Sequence, residues 1–107
     1  MKKFEIVKEH IDFDNIINTG KYIKGNYFII YNKDNNLDYR RFGIAVSKKN
    51  GKAVIRNRMK RITREILNKN KNMFKNNHDY IIIVKRNALD VSFNVLEEDI
   101  LNIIKGD

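Results

Sequence analysis

The 107 residues include no cysteine, no proline and no tryptophan, and only two histidines and five glycines. Without cysteine there is no disulfide, no thiolate zinc ligand and no cysteine nucleophile. His10 and His78 stand far apart without a ligand-spaced companion, so a histidine-based metal or acid–base centre is not expected. No apolar run approaches the roughly 20 residues of a membrane-spanning helix. The opening Met1-Lys2-Lys3-Phe4-Glu5 lacks the apolar core of a secretory signal. These absences point to a soluble, cytoplasmic protein of a reducing compartment, with no membrane contact. The missing proline goes with heavy use of Asn, Ile and Lys, which we read as AT-rich coding with no bearing on mechanism. The last scarcity is local: from Tyr39 to Arg64 there are ten basic residues and no acidic one.

What is present is a folding composition, 42% hydrophobic, with a net charge of +9. The length suits one domain, residues 1–107, with a modest core. The charge excess repels itself in the free protein and favours an extended polyanion. Ile11, Phe13, Ile16 and Ile17 have the spacing of a short amphipathic helix over residues 8–18, and Gly20 follows where a helix end wants it. Residues 26–31 and 41–46 are rich in aromatic and β-branched types and predict two strands, which as neighbours in sequence would pair as an antiparallel hairpin. From Lys52 the period changes: Ile55, Met59, Ile62, Ile66 and Met73 form a helical stripe. Tyr80-Ile81-Ile82-Ile83-Val84 predicts a strand buried on both faces. Val95, Leu96, Ile100, Leu101, Ile103 and Ile104 predict a final helix, with Glu97, Glu98 and Asp99 on its outer side. The order is α-β-β-α-β-α, with room for a short extra strand at Tyr22-Ile23.

The basic block is a pattern as well as an excess. Ser47-Lys48-Lys49-Asn50-Gly51 leads into Ala53-Val54-Ile55-Arg56-Asn57-Arg58-Met59-Lys60-Arg61. On a helix, Arg56, Lys60 and Arg64 form an i, i+4, i+8 row with Arg58 and Arg61 on adjoining faces. Guanidinium forks bind phosphate oxygens bidentately, and the amide of Asn57 offers both a donor and an acceptor to a sugar or base edge. A solvated helix face mixes signs, because like charges at i, i+4 oppose helix formation. None mix here before Glu65, so the expected partner is RNA. The glycine count and the Gly-Lys-Ser/Thr ending of a nucleotide-binding phosphate loop are missing.

A second candidate surface is aromatic. Alternation along the strand puts Tyr27, Ile29 and Tyr31 on one face, and Phe13 and Ile17 share a side of the first helix. Flat apolar side chains beside positive charge suit the unstacked bases of single-stranded RNA, and they equally suit an ordinary core.

The run Ser47-Lys48-Lys49-x-Gly51-x-Ala53-Val54-x-Arg56-Asn57-Arg58-x-Lys60-Arg61-x-x-Arg64-Glu65 resembles the signature of the bacterial ribonuclease P protein subunit. Looser agreement extends over Asp12-Phe13, Thr19-Gly20, Phe28-Ile29-Ile30-Tyr31, Arg41-Phe42-Gly43-Ile44-Ala45-Val46 and Asp79-Tyr80-Ile81-Ile82-Ile83. The resemblance implies an α+β fold, an α/β sandwich like the second domain of ribosomal protein S5. Its order would be α-β-β-(β)-α-β-α with a left-handed βαβ crossover, the opposite of the usual hand. It also implies that the catalyst is a large RNA subunit, which uses Mg2+ held by RNA and substrate to cut precursor tRNA at the mature 5′ end. No protein catalytic residue, protein-bound metal or protein partner is then expected. The ribozyme-facing set would be Lys48, Lys49, Arg56, Asn57, Arg58, Lys60, Arg61 and Arg64. The cleft for the single-stranded 5′ leader of precursor tRNA would be Phe13, Ile17, Ile29 and Tyr31. Ile17 stands where relatives carry an aromatic, Asn26 where they carry Arg, and Glu5 and Glu9 where their chain is basic, which implies a less electrostatic leader contact.

Two other functions fit parts of the sequence. A ribosomal-type protein that only packs rRNA shares the size and charge but needs no groove for unpaired bases. A protein nuclease clusters carboxylates for metals or uses a histidine base. The acidic groupings here are Asp12 with Asp14, Glu97-Glu98-Asp99 and Asp34 with Asp38. The first two are expected to be helix-surface charges and the third a turn, none joined to a histidine.

Overall fold

The structure, a computed structural model, describes residues 5–7, 10–47, 49 and 51–106, without the side chains of 10 and 11. Expectations resting on Lys48, on the side chain of Ile11 and on residues 2–4, 8 and 9 lie outside the described residues. The elements are α1 (His10–Thr19), β1 (Lys21–Lys24), β2 (Phe28–Asp34), β3 (Arg41–Val46), α2 (Ala53–Lys69), β4 (His78–Val84) and α3 (Phe93–Lys105). The short extra strand at Tyr22-Ile23 is therefore present as β1.

The sheet order is β1-β2-β4-β3. β4 is antiparallel to β2 and parallel to β3, so α2 lies in the crossover between two adjacent parallel strands. This corrects the expected hairpin: β2 and β3 do not pair, because β4 stands between them. The physical reason lies in the side chains of β4. Tyr80, Ile81, Ile82 and Val84 are all buried, and only a central strand with both faces covered hides such a run. The connection over residues 35–40 passes around the start of β4 and is tied to it. The backbone N–H of Asn35 donates to the Asn77 carbonyl at 2.9 Å, its side-chain amide donates to Asp79 at 2.8 Å, and the Asn77 amide donates to the Leu37 carbonyl. Asn36 and Asn77 adopt φ of 59° and 63°, the left-handed region that asparagine tolerates better than most residues.

α2 and α3 cover one face of the sheet, where Phe28, Ile30, Phe42, Tyr80, Ile82 and Val84 meet Met59, Ile66, Leu67, Leu96, Ile100 and Ile103. The helical stripe differs from the expected one at both ends. Ile55 and Met73 are exposed, Met73 in a separate short turn, while Thr63 and Leu67 are buried. Thr63 is tolerated there because its hydroxyl donates to the Met59 carbonyl at 2.7 Å. Tyr27 also departs from expectation. It precedes β2 and packs against this larger core rather than beside Tyr31.

α1 covers the other face together with Val7, through a smaller cluster of Val7, Ile16 and Ile81 with Phe13, Ile17, Tyr31 and Ile83 packed around it. Two glycines let it lie close. A Cβ at Gly43 would sit 2.5 Å from Cζ of Phe13, and one at Gly20 would sit 2.5 and 2.7 Å from the carbonyl oxygens of Ile16 and Asn32. The helix therefore stops at Gly20 and turns directly into β1.

Candidate nucleic-acid interface

Helix α2 carries the basic motif as the pattern predicts. Asn57, Arg58, Arg61 and Arg64 are exposed, and Arg56 and Lys60 are half-buried. None of these cations forms an ion pair with a carboxylate among the described residues. The first turn holds no acidic residue, and Lys52 at the N-cap supplies no side-chain cap. No Lys52 side-chain group therefore satisfies the N–H groups at the helix start, where the dipole is positive. Lys49 is exposed just ahead of Gly51, whose φ of 126° suits glycine at the entry to the helix.

Not every basic residue of the block serves that surface. Arg41 is bound bidentately by Asp79, Nε to Oδ1 at 2.8 Å and Nη2 to Oδ2 at 2.6 Å, in register across β3 and β4. The hydrogen bonds Arg41 donates to Asp79, opposed by burial and aided by the charges of Asp79 and Asp12, raise the Arg41 pKa, so the guanidinium stays charged. Its role is to fasten two strands. At the other end of the chain Glu5, buried, pairs with Lys71. One of the two N-terminal glutamates is thereby neutralised within the fold.

The apolar surface forms where α1 crosses the sheet. Phe13, Ile17 and Tyr31 converge on one cluster, all half-buried. Ile29 lies on the same sheet face, opposite Ile83 of β4, outside that cluster. Phe13 also lines a cleft of about 250 Å³ with Val7, Gly43, Ile44, Lys60 and Arg64. Lys60, half-buried, and Arg64, exposed, thus border the same cleft as Phe13 of α1. The aromatic and basic surfaces are contiguous around Phe13, a juxtaposition that helical periodicity alone does not reveal.

The acidic residues need two corrections. Asp99 is 6% exposed, not a surface charge. Its two oxygens accept the backbone N–H groups of Asn26, Tyr27 and Phe28 at 2.8, 2.9 and 3.2 Å, clasping the turn between β1 and β2. Glu97 is also engaged, accepting from the Asn70 amide at 2.9 Å and pairing with Lys69 at 3.2 Å, and these contacts hold its pKa below the usual value. The second correction is that Asp34 does meet a histidine, with Oδ1 2.7 Å from Nε2 of His78. That pair sits beside Lys21, Lys33 and Lys75 where β2 ends and β4 begins. Among the described residues no three His, Asp or Glu side chains gather as a metal site requires.

Residues 1–106 match the family model for ribonuclease P. The ribonuclease P protein component of Mycoplasma mycoides is 41% identical over 106 residues, covering 98% of this chain and 97% of that one. The same component from Fusobacterium nucleatum is 40% identical over 104 residues, covering 94% of each chain. The solved ribonuclease P protein of Thermotoga maritima superposes with a TM-score of 0.88 at 34% identity, covering 96% of this chain and 97% of that one. A Staphylococcus aureus ribonuclease P protein structure gives 0.86 at 31% identity, with 94% and 93% covered. The mixed α+β architecture described above is the one these structures share.

Proposed function

Because the chain belongs to the ribonuclease P protein family, we propose that it acts as the protein component of an RNA-based endonuclease that removes the 5′ leader of precursor tRNA. The observation that carries this reading is the contiguity of two unlike surfaces around Phe13: an unpaired basic helix and a half-buried aromatic groove. A scaffold for folded rRNA needs the first and has no use for the second.

In this reading Lys49, Arg56, Asn57, Arg58, Lys60, Arg61 and Arg64, with Lys48, hold the catalytic RNA through its phosphates. Phe13, Ile17, Ile29 and Tyr31 receive the unpaired leader by stacking and apolar contact. Lys60 and Arg64 lie where the two RNAs approach one another, and their charge screens the repulsion between the two backbones. Hydrolysis belongs to the RNA subunit, with Mg2+ held by RNA and substrate. Four of the protein's carboxylates are committed to the fold, Asp79 to Arg41, Asp99 to the β1–β2 turn, Glu5 to Lys71 and Glu97 to Asn70.

The test is cleavage of precursor tRNA at low magnesium by the cognate RNA, with and without the protein. The protein should raise cleavage by that RNA and, alone, leave the substrate intact at any magnesium concentration. Site-specific cleavage by the protein alone, abolished by Asp34→Asn or Glu98→Gln, would overturn the assignment.

A further inference from the structure

Tyr22 belongs to neither surface as the sequence pattern defines them, yet it is 54% exposed, unusual for an aromatic side chain on a folded domain. It stands on β1 directly opposite Tyr31, and the two rings lie 5.2 Å apart with planes tilted by 36°. Opposite residues on paired strands share a face. The register therefore lays out three rows across the α1 side of the sheet: Lys24, Ile29, Ile83 and Ala45; then Tyr22, Tyr31, Ile81 and Gly43; then Lys33, Asp79 and Arg41. The far end of the middle row is roofed by Phe13 at Gly43. Its near end is open, because α1 finishes at Thr19 and Gly20 turns the chain into β1.

The tyrosine pair is bracketed by two ammonium groups on the same face. Lys24 lies two residues along from Tyr22, and Lys33 two residues along from Tyr31, each about 7 Å away in strand rise. Lys24 is exposed and makes no ion pair among the described residues, and Lys33 Nζ gives one of its hydrogens to Thr19 Oγ1 at 2.8 Å. Aromatic faces flanked by cations at this spacing match the alternating base and phosphate of an extended single strand. Folding does not ask for this arrangement. Lys21 and Lys24 already guard β1 as an edge strand, and an exposed aromatic there works against that protection.

We propose that Tyr22 and Lys24 form a further subsite for one unpaired nucleotide of the leader, adjacent to the nucleotide held at Tyr31. The Tyr22 ring stacks on the base and the Lys24 ammonium meets the neighbouring phosphate. This rests on the leader-binding reading above, and the experiment separates the two. A fluorescent adenine analogue, 2-aminopurine, is placed singly at successive leader positions of precursor tRNA and bound to the protein assembled with its cognate RNA. Stacking quenches its fluorescence.

With the wild-type protein, two neighbouring positions should be quenched. Tyr31→Leu should release one and Tyr22→Leu the other, the latter with at least about fivefold weaker precursor binding and unchanged affinity for mature tRNA. Tyr22→Phe should behave as wild type, and Lys24→Ala should lower the salt slope of precursor binding by about 0.7. If Tyr22→Leu leaves quenching and precursor preference intact while Tyr31→Leu abolishes its own signal, Tyr22 is only cross-strand packing and the subsite is wrong. If neither variant changes anything, the leader reading itself fails. Loss of quenching at every position together with a lowered Tm in Tyr22→Leu would show a structural role and overturn the subsite.

Discussion

Asp99 shows how far a single side chain can act from its place in sequence. It accepts three backbone N–H groups more than 70 residues away, so the β1–β2 turn depends on a carboxylate in α3. Asp99→Ala strands those donors and should lower stability by about 1–3 kcal/mol, measured by chemical denaturation, with Asp99→Asn costing less because the amide oxygen still accepts. At the proposed leader groove, Phe13→Ala and Tyr31→Ala should weaken precursor tRNA binding while leaving mature tRNA affinity nearly unchanged, each stacked base contributing about 1–3 kcal/mol. Binding competition between the two tRNAs, alongside a Tm for each variant, checks this. If both stay folded and keep the wild-type preference, these residues only pack. The residues of the basic helix were legible because a 3.6-residue period places them without any partner. The role of Asp99 was not, because nothing local distinguishes a buried acceptor from a surface acid at the same spacing.

At the scale of elements, the seat of α1 is the sensitive joint, since it makes one wall of the groove and rests on glycine at two points. Gly43→Ala puts a methyl against the Phe13 ring and the Ile81 side chain. It should lower stability by about 1–3 kcal/mol and weaken precursor binding by lifting the helix. Gly20→Ala meets backbone on both sides, which cannot rotate away, and should be the more damaging of the two. Thermal unfolding and precursor binding of the two variants rank them. The tether between α2 and α3 has a pH signature. The hydrogen bond from Asn70, with Lys69 beside it, lowers the Glu97 pKa from its ordinary 4.5. Its contribution is complete above that ordinary value and disappears as pH falls through the depressed folded value. The Tm gap between wild type and Glu97→Gln should hold steady from neutral pH down to about 5 and shrink below 4.5. A gap that grows in acid would show the sign is wrong. Helices and strands themselves were legible from periodicity and punctuation. The separation of β2 from β3 by β4 was not, because proximity in sequence favours a hairpin, while the most apolar strand takes the centre of the sheet whatever its place in the chain.

For the molecule as a whole, the net charge of +9 makes salt the natural probe. Arg56→Ala combined with Arg58→Ala should weaken binding to the catalytic RNA and flatten its salt dependence by roughly one to two units of slope, about 0.7–0.9 for each phosphate left without its cation. Arg41→Ala should leave that slope unchanged and instead lower stability, because its guanidinium is bound to Asp79 and its removal leaves the buried Asp79 carboxylate without its counter-charge. Affinity titrations at several salt concentrations, with denaturation of the same variants, separate the two kinds of arginine. An Arg41→Ala slope that flattens with stability intact would place Arg41 on the RNA surface.

The basic helix, the aromatic strand, the double-sided burial of β4 and the family could all be read from the chain alone, because each is written in short-range spacing or in a contiguous motif. Tertiary packing supplied the rest. It chose which cations stay exposed and which fasten strands, brought Lys60 and Arg64 to one cleft with Phe13, buried Asp99 under a distant turn and set Tyr22 beside Tyr31. Each depends on strand order and on the path of α1 across the sheet. Those are long-range outcomes of burying one apolar strand between two others, and no local pattern records them.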